Sequence, residues 1–189
     1  MSEEMISRRF QLSSFQIIIL GFAGVILLGA LLLMLPISAA EHCVTPFHDA
    51  LFTATSAVCV TGLVIHDTGS YWSAFGQTII LTLIQIGGLG VVTVAALFAL
   101  LSRRRISLMQ RTTLQDAISA SNVGGIVRLT KFILWGTFLI ELIGALAMLP
   151  VFCHDYGWHG IWLATFHSIS AFCNAGFDIF GGGVSLTTH

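Results

Sequence analysis

The chain has 189 residues, 56% of them hydrophobic and only 9% charged, with mean hydropathy +0.91 and formal net charge −1. A soluble domain carries about 25% charged residues, so lipid is the expected solvent. The few basic residues sit at the ends of apolar segments, which argues against nucleic-acid binding, and four cysteines without a CxxC pair argue against zinc-ribbon and thioredoxin-like folds.

Residues 1–14 are read as a cytoplasmic N-terminus. Arg8-Arg9-Phe10, an apolar run and Ser38-Ala39-Ala40 have the outline of a twin-arginine signal. Phe15 to Ile37 is 23 residues with Gln16 as its only strongly polar side chain, a length that suits a spanning helix better. The first span is therefore placed at Phe15–Pro36. Phe47–Val58 is apolar but too short to cross ~30 Å, and suits a re-entrant or interfacial segment. A second span covers Ala74–Leu101, inside a stretch without charge from Thr68 through Ser102. The connection 102–131 is predicted to be partly helical, with Ser107 capping Leu108–Ile118 and Gly124-Gly125 breaking the helix before the third span. Arg103–Arg105 reads as a stop-transfer anchor or as a docking surface for a cytosolic partner. The third span is Phe132–Pro150, interrupted by Glu141, and Gly160–Phe172 is a second short apolar stretch.

Charge orients these segments. All eight Lys and Arg lie at Arg8, Arg9, Arg103, Arg104, Arg105, Arg111, Arg128 and Lys131. The stretches 37–73 and 151–189 have none, but contain Glu41, Asp49, Asp67, Asp155 and Asp178. The positive-inside rule puts the N-terminus and 102–131 in the cytoplasm and both short stretches at the outer face. Three spans then alternate correctly.

The sequence also repeats without a gap at an offset of 114 residues. Met34-Leu35-Pro36 matches Met148-Leu149-Pro150, Ala50 matches Ala164, and Phe52 matches Phe166. Ser56-Ala57 matches Ser170-Ala171, Cys59 matches Cys173, and Gly62 matches Gly176. The implied unit is an ingoing helix, a short pore helix, a glycine-containing loop and a returning helix. Residues 15–101 hold one unit; 132–189 hold a second that stops at His189 before any returning helix. Such units commonly surround a central site.

A cation crossing a bilayer must exchange its water shell for other oxygens, and backbone carbonyls can supply them. Glycine permits the unusual backbone angles that aim carbonyls inward. The candidate stretches are Cys59-Val60-Thr61-Gly62-Leu63 and Cys173-Asn174-Ala175-Gly176-Phe177, each after a short helix whose C-terminal end carries partial negative charge. An ordinary outer turn is the plain alternative.

The stretch from Ser56 to Leu63 resembles the first filter of the Trk/Ktr/HKT potassium transporters, and Ser170 to Phe177 resembles their second. Gln85-Ile86-Gly87-Gly88-Leu89-Gly90 is similar to their first returning helix, and Gly124 to Leu129 is closest to the bacterial Ktr-type membrane subunit. The resemblance implies an all-α membrane protein of repeated helix, pore helix, filter loop and helix units, with about one and a half of an expected four in this chain. It implies potassium uptake across the plasma membrane, with Val60, Thr61, Gly62, Asn174, Ala175 and Gly176 supplying oxygens to the ion. A homodimer and a cytosolic nucleotide-binding regulatory ring docked near 102–131 also follow from the resemblance; the sequence leaves passive uptake, Na+ as a coupling ion and proton coupling open.

Other residues carry weaker signals. Glu141 lies mid-span, where a charge costs about 2.5–3.5 kcal/mol, so it is a functional candidate unless it is protonated or bonded to Thr137 or a neighbouring helix. Gly87, Gly88 and Gly90 suit close helix packing better than a hinge. Asp67 and Asp178 follow the two loops and would attract cations to the outer mouth or be merely solvated. Asp49 is expected as a helix-N-terminal charge. Cys43 and Cys153 are either a disulfide or two separate thiols. The six outer histidines (His42, His48, His66, His154, His159 and His167) lack a zinc-ligand spacing. Trp72, Trp158 and Trp162 fit an outer aromatic belt. No positioned acid, base or nucleophile suggests an enzyme. The rival readings are a non-conducting membrane scaffold and a carrier for another solute.

Overall fold

A computed structural model describes residues 14–103 and 122–181. The helix expected at Leu108–Ile118 lies outside the described residues. Among the described residues the protein is helical, with a single isolated bridge between Ala39 and Trp72. We number the helices α1 (Ser14–Leu33), α2 (Phe47–Val58), α3 (Thr68–Tyr71), α4 (Ala74–Arg103), α5 (Asn122–Tyr156) and α6 (His159–Phe172), with a 3-10 turn at Pro36–Ser38.

Helix α2 falls on the residues expected of it, because its boundaries are written locally. Pro46 starts it, with its carbonyl accepting from the Asp49 and Ala50 amides at 3.1 Å. Asp49 stands in the first turn, where a negative charge complements the helix dipole. The His66 and His48 rings hold that carboxylate at 3.0 and 3.1 Å. Ala50, Ala54 and Ala57 form a stripe of small, fully buried residues. Small residues let helix axes approach closely, and α2 packs on both α1 and α4.

The two Met-Leu-Pro sequences behave differently. At Pro36 helix α1 has already ended and the 3-10 turn begins. At Pro150 helix α5 continues to Tyr156, so the expected end of the third span at Pro150 is corrected. Proline is tolerated inside apolar helices where neighbours re-satisfy the freed backbone groups. Gly157, at φ +58, ends α5, its amide donating to the Cys153 carbonyl at 3.0 Å. Gly124-Gly125 falls in the first turn of α5, and the helix that the pair is expected to break lies outside the described residues.

Among the described residues one segment, Lys131–Tyr156, is a helix long and apolar enough to cross a membrane. The other two expected spans are helical but contribute shorter apolar stretches, Ile19–Leu33 and Ala74–Gly90. The outward faces of α1 and α5 are apolar, exposing Leu28, Leu31, Phe132, Trp135, Ile143 and Val151 among others. A contiguous apolar exterior of this kind marks a surface made for lipid or protein, not water.

The core joins α1, α2, α4, α6 and the chain after α6, through Leu33, Ala57, Ile80, Ile84, Leu163, Phe166 and Phe177. Trp72 is part of it at 2% exposure, which corrects its placement in an aromatic belt; Trp158, at 90%, stays outside. The bridge to Ala39 pins Trp72, and the Ser38 carbonyl accepts the Ser73 amide at 2.9 Å. All four cysteines are free, so the Cys43–Cys153 disulfide is not formed.

Gln77 ties the halves together. Its Nε2 donates to the Trp72 carbonyl at 3.1 Å, and its Oε1 accepts from Trp162 Nε1 on α6 at 2.8 Å. Trp162 is thereby an interior bond donor rather than a belt residue. Stranding a buried polar group costs about 1–3 kcal/mol. Gln77→Leu should therefore lower the thermal midpoint of the purified full-length protein. Trp162→Phe should lower it less, and the double variant should fall short of the sum, because one shared bond is removed twice.

Candidate functional site: two paired helix-end turns

The chemistry expected of the two loops begins with how α2 and α6 end. Any helix leaves its last four carbonyls without intrahelical partners. After α2, the Val60 amide donates to Ala57 O at 3.3 Å and the Thr61 amide to Ser56 O at 3.0 Å. After α6, the Asn174 amide donates to Ala171 O at 3.0 Å and the Ala175 amide to Ser170 O at 2.7 Å. Both are Schellman terminations, which need a left-handed residue just past the cap. Val60 takes that conformation at φ 57 and Asn174 at φ 56. Two residues on, Gly62 has φ 73 and Gly176 has φ 71. The two turns thus have nearly the same backbone, at the same 114-residue offset.

Asparagine is a natural occupant of left-handed space; valine is not, and a β-branched residue there is an outlier costing about 1–3 kcal/mol. The surroundings hold it. The Ser56 and Thr61 hydroxyls share a hydrogen bond at 2.9 Å, and in the second turn Ser170 Oγ donates to Phe177 O at 2.7 Å. Both serines are buried under their turns.

The turns meet each other. A Cβ placed on Gly62 would lie 2.6 Å from the Ala175 carbonyl oxygen, and one on Gly176 would lie 3.5 Å from Gly62 Cα. Helix α4 braces both from behind. Gly87 faces the Val58 carbonyl, Gly88 faces Cys173 with 2.5 Å from a built Cβ to Sγ, and Gly90 faces Phe22 of α1. Their expected packing role is what the contacts give.

The six residues singled out in the sequence, Val60, Thr61, Gly62, Asn174, Ala175 and Gly176, are therefore brought into one place. Among the described residues their carbonyl oxygens accept no hydrogen bond. Two helix C-termini, each with roughly half a negative charge, adjoin the same point. The arrangement favours a cation and offers it unclaimed oxygens.

The outer acids are less alike than the sequence suggests. Asp67 caps α3, accepting from the Ser70 amide at 3.1 Å and from its hydroxyl. Asp178 is partly buried, and burial holds its carboxyl above the usual carboxylate range while His167 draws it back. A cavity of about 340 Å³ is lined by Glu41, Cys43, His66, Asp67, Ser70 and Tyr71, and none of the six turn residues reaches it. Sequence reading gave no role to Gln77 or Gln85: each is a polar residue in an apolar helix, the signal that would have found it.

Residues 4–187 match the family described as TrkH, cation transport protein. The chain is 45% identical over 174 residues to the potassium/sodium uptake protein NtpJ of Enterococcus hirae, covering 92% of this chain and 39% of that protein. It is 44% identical over 165 residues to the Ktr system potassium uptake protein B of Bacillus subtilis, covering 87% and 37%. With the corresponding Vibrio alginolyticus protein it shares 41% identity over 166 residues, covering 87% and 36%. The chain thus spans about two-fifths of the length of these relatives. A match over nearly the whole chain, on top of the paired turns, makes it a member of the TrkH family of cation transport proteins.

Proposed function

We propose that this chain is part of a potassium-uptake pore in the plasma membrane. In this reading α1, α4 and α5 span the bilayer with the N-terminus in the cytoplasm. Helices α2 and α6 are re-entrant pore helices, and the two helix–turn units are copies of one ancestral unit. The ion sheds water against the carbonyls of Val60, Thr61 and Gly62 and of Asn174, Ala175 and Gly176. Unclaimed backbone oxygens at two touching helix C-termini are the observation that carries this reading. The potassium named in the relatives' descriptions supports it. Further units in the full-length protein, a second copy of it and a cytosolic regulatory ring at the basic segment 102–131 complete the assembly we envisage. Sodium is the proposed coupling ion.

The test is rubidium uptake into potassium-starved cells lacking their own uptake systems, with the native-length gene, its cytosolic partner and matched surface levels. Gly62→Ser should reduce uptake by about tenfold or more, since a perturbation of about 1.4 kcal/mol suffices for that. Normal uptake by a well-inserted Gly62→Ser protein would overturn the carbonyl filter. No uptake by the wild type would instead favour a non-conducting scaffold.

The two glycines should also differ from each other. Alanine at either must adopt φ near +70, at a cost of about 1–2 kcal/mol. At Gly62 its Cβ also meets the Ala175 carbonyl at 2.6 Å, whereas at Gly176 the nearest atom is at an ordinary 3.5 Å. Gly62→Ala should therefore lose more rubidium uptake, and more discrimination against sodium, than Gly176→Ala in the same assay. Equal losses would mean that the turns do not touch in the working protein.

A further inference from the structure

One buried ionisable group has no part in the filter. Glu141 sits midway along α5 at 5% exposure. Its partner is on a neighbouring helix: Gln85 Nε2 of α4 donates to Glu141 Oε1 at 2.9 Å. Ser168 of α6 donates its hydroxyl to the Glu141 backbone carbonyl at 2.6 Å, and Gly144 leaves room for that hydroxyl. Three helices therefore meet at Glu141, α4 at its carboxyl and α6 at its backbone carbonyl.

The hydrogen-bond accounting does not close. Among the described residues, Gln85 Oε1 is buried with no donor. Turning the amide over does not help. Its carbonyl would then face the carboxyl oxygen, an arrangement that needs a proton between them, and its NH2 would take the orphaned place. Charge accounting fails as well. Among the described residues Glu141 has no ion-pair partner. Lys131, the nearest basic residue along α5, is about 15 Å away at 1.5 Å per residue. A carboxylate this deep without a counter-charge costs several kcal/mol. A proton on the carboxyl would meet the charge deficit alone; a cation beside the carboxyl and the amide oxygen would meet both.

We propose that Glu141 and Gln85 form a buried binding site for a small monovalent cation, a proton or Na+. The site adjoins the second turn: Gly88, one helical turn along α4 from Gln85, packs on Cys173, and Ser168 lies on the helix that the turn ends. Uncharged surroundings suit a single charge: Gln85 on α4, Thr137 and Gly144 on α5, Ser168 on α6 and the Cys173 thiol just past its end. The site stands on its own geometry; a role in coupling uptake to a second cation rests on the pore reading.

The test uses the purified full-length protein, so that it does not depend on transport. Infrared difference spectra should give a protonated-carboxyl band that is lost in Glu141→Gln and displaced in Gln85→Leu; that outcome assigns a proton. Without such a band, added NaCl, but not choline chloride, should raise the melting temperature of the wild type and not of Glu141→Gln; that outcome assigns sodium. Should Glu141→Gln not fold, Glu141→Asp replaces it, with the band or the sodium response shifted rather than lost. Neither signature in the wild type would mean that the carboxylate has a permanent counter-charge, and the site is discarded. A wild type that shows a signature but takes up no rubidium would defeat the pore reading alone.

Discussion

Two helices, α2 and α6, end against each other in this protein, and the fate of their last carbonyls governs much of the rest. Those oxygens have no partner within the helix and must be taken up by water, side chains or the turn that follows. The Schellman turns at Val60 and Asn174 take up the carbonyls of Ser56, Ala57, Ser170 and Ala171. Among the described residues the carbonyls that follow accept no hydrogen bond, and the two turns that carry them are in contact. Oxygens without partners there follow from the way the helices stop.

That consequence needs a support. A valine at φ 57 is held against its own preference, so the wall behind it must be close and fixed. Helix α4 provides the wall through glycines, since any side chain at Gly87 would enter the Val58 carbonyl. The absence of side chains costs helix propensity, and apolar packing along Ile80 and Ile84 offsets it. The Gln77–Trp162 bond fixes the start of α4 against α6. Strain at the turn, small residues in the wall and a polar clamp at its end are parts of a single solution.

How much of this was legible in the sequence follows from how local each signal is. The boundaries of α2 were readable because Pro46, Asp49 and the cysteine-containing turn lie within the helix or beside it. The positions of the six turn residues were readable from a repeat that keeps its spacing through two elements. Pro150 and Trp72 were misread because each has a local meaning that tertiary packing overrides. A proline that ends a helix in water need not do so inside a long apolar one, and a tryptophan near a predicted interface can be drawn into the core by one backbone bridge. The touching of the turns was not readable at all, since nothing in either segment encodes its distance from the other.

The two halves are alike in backbone and differ in what lies behind it. Ser56 reaches the Thr61 side chain, whereas Ser170 reaches the Phe177 carbonyl, so the same residue fixes a side chain in one turn and the main chain in the other. Cys59 is exposed, while Cys173 is pressed against Gly88. Helix α1 ends at Leu33, short of its proline, whereas α5 runs on through Pro150. Helix α5 packs along α6 and places Glu141 beside it, the Glu141 backbone carbonyl accepting from Ser168. No such group stands at the corresponding place in α1, where Glu141 maps to Leu27. The likeness of the turns follows the residues that recur at the 114-residue offset, and polar groups present on one side alone are where the two can take on different work.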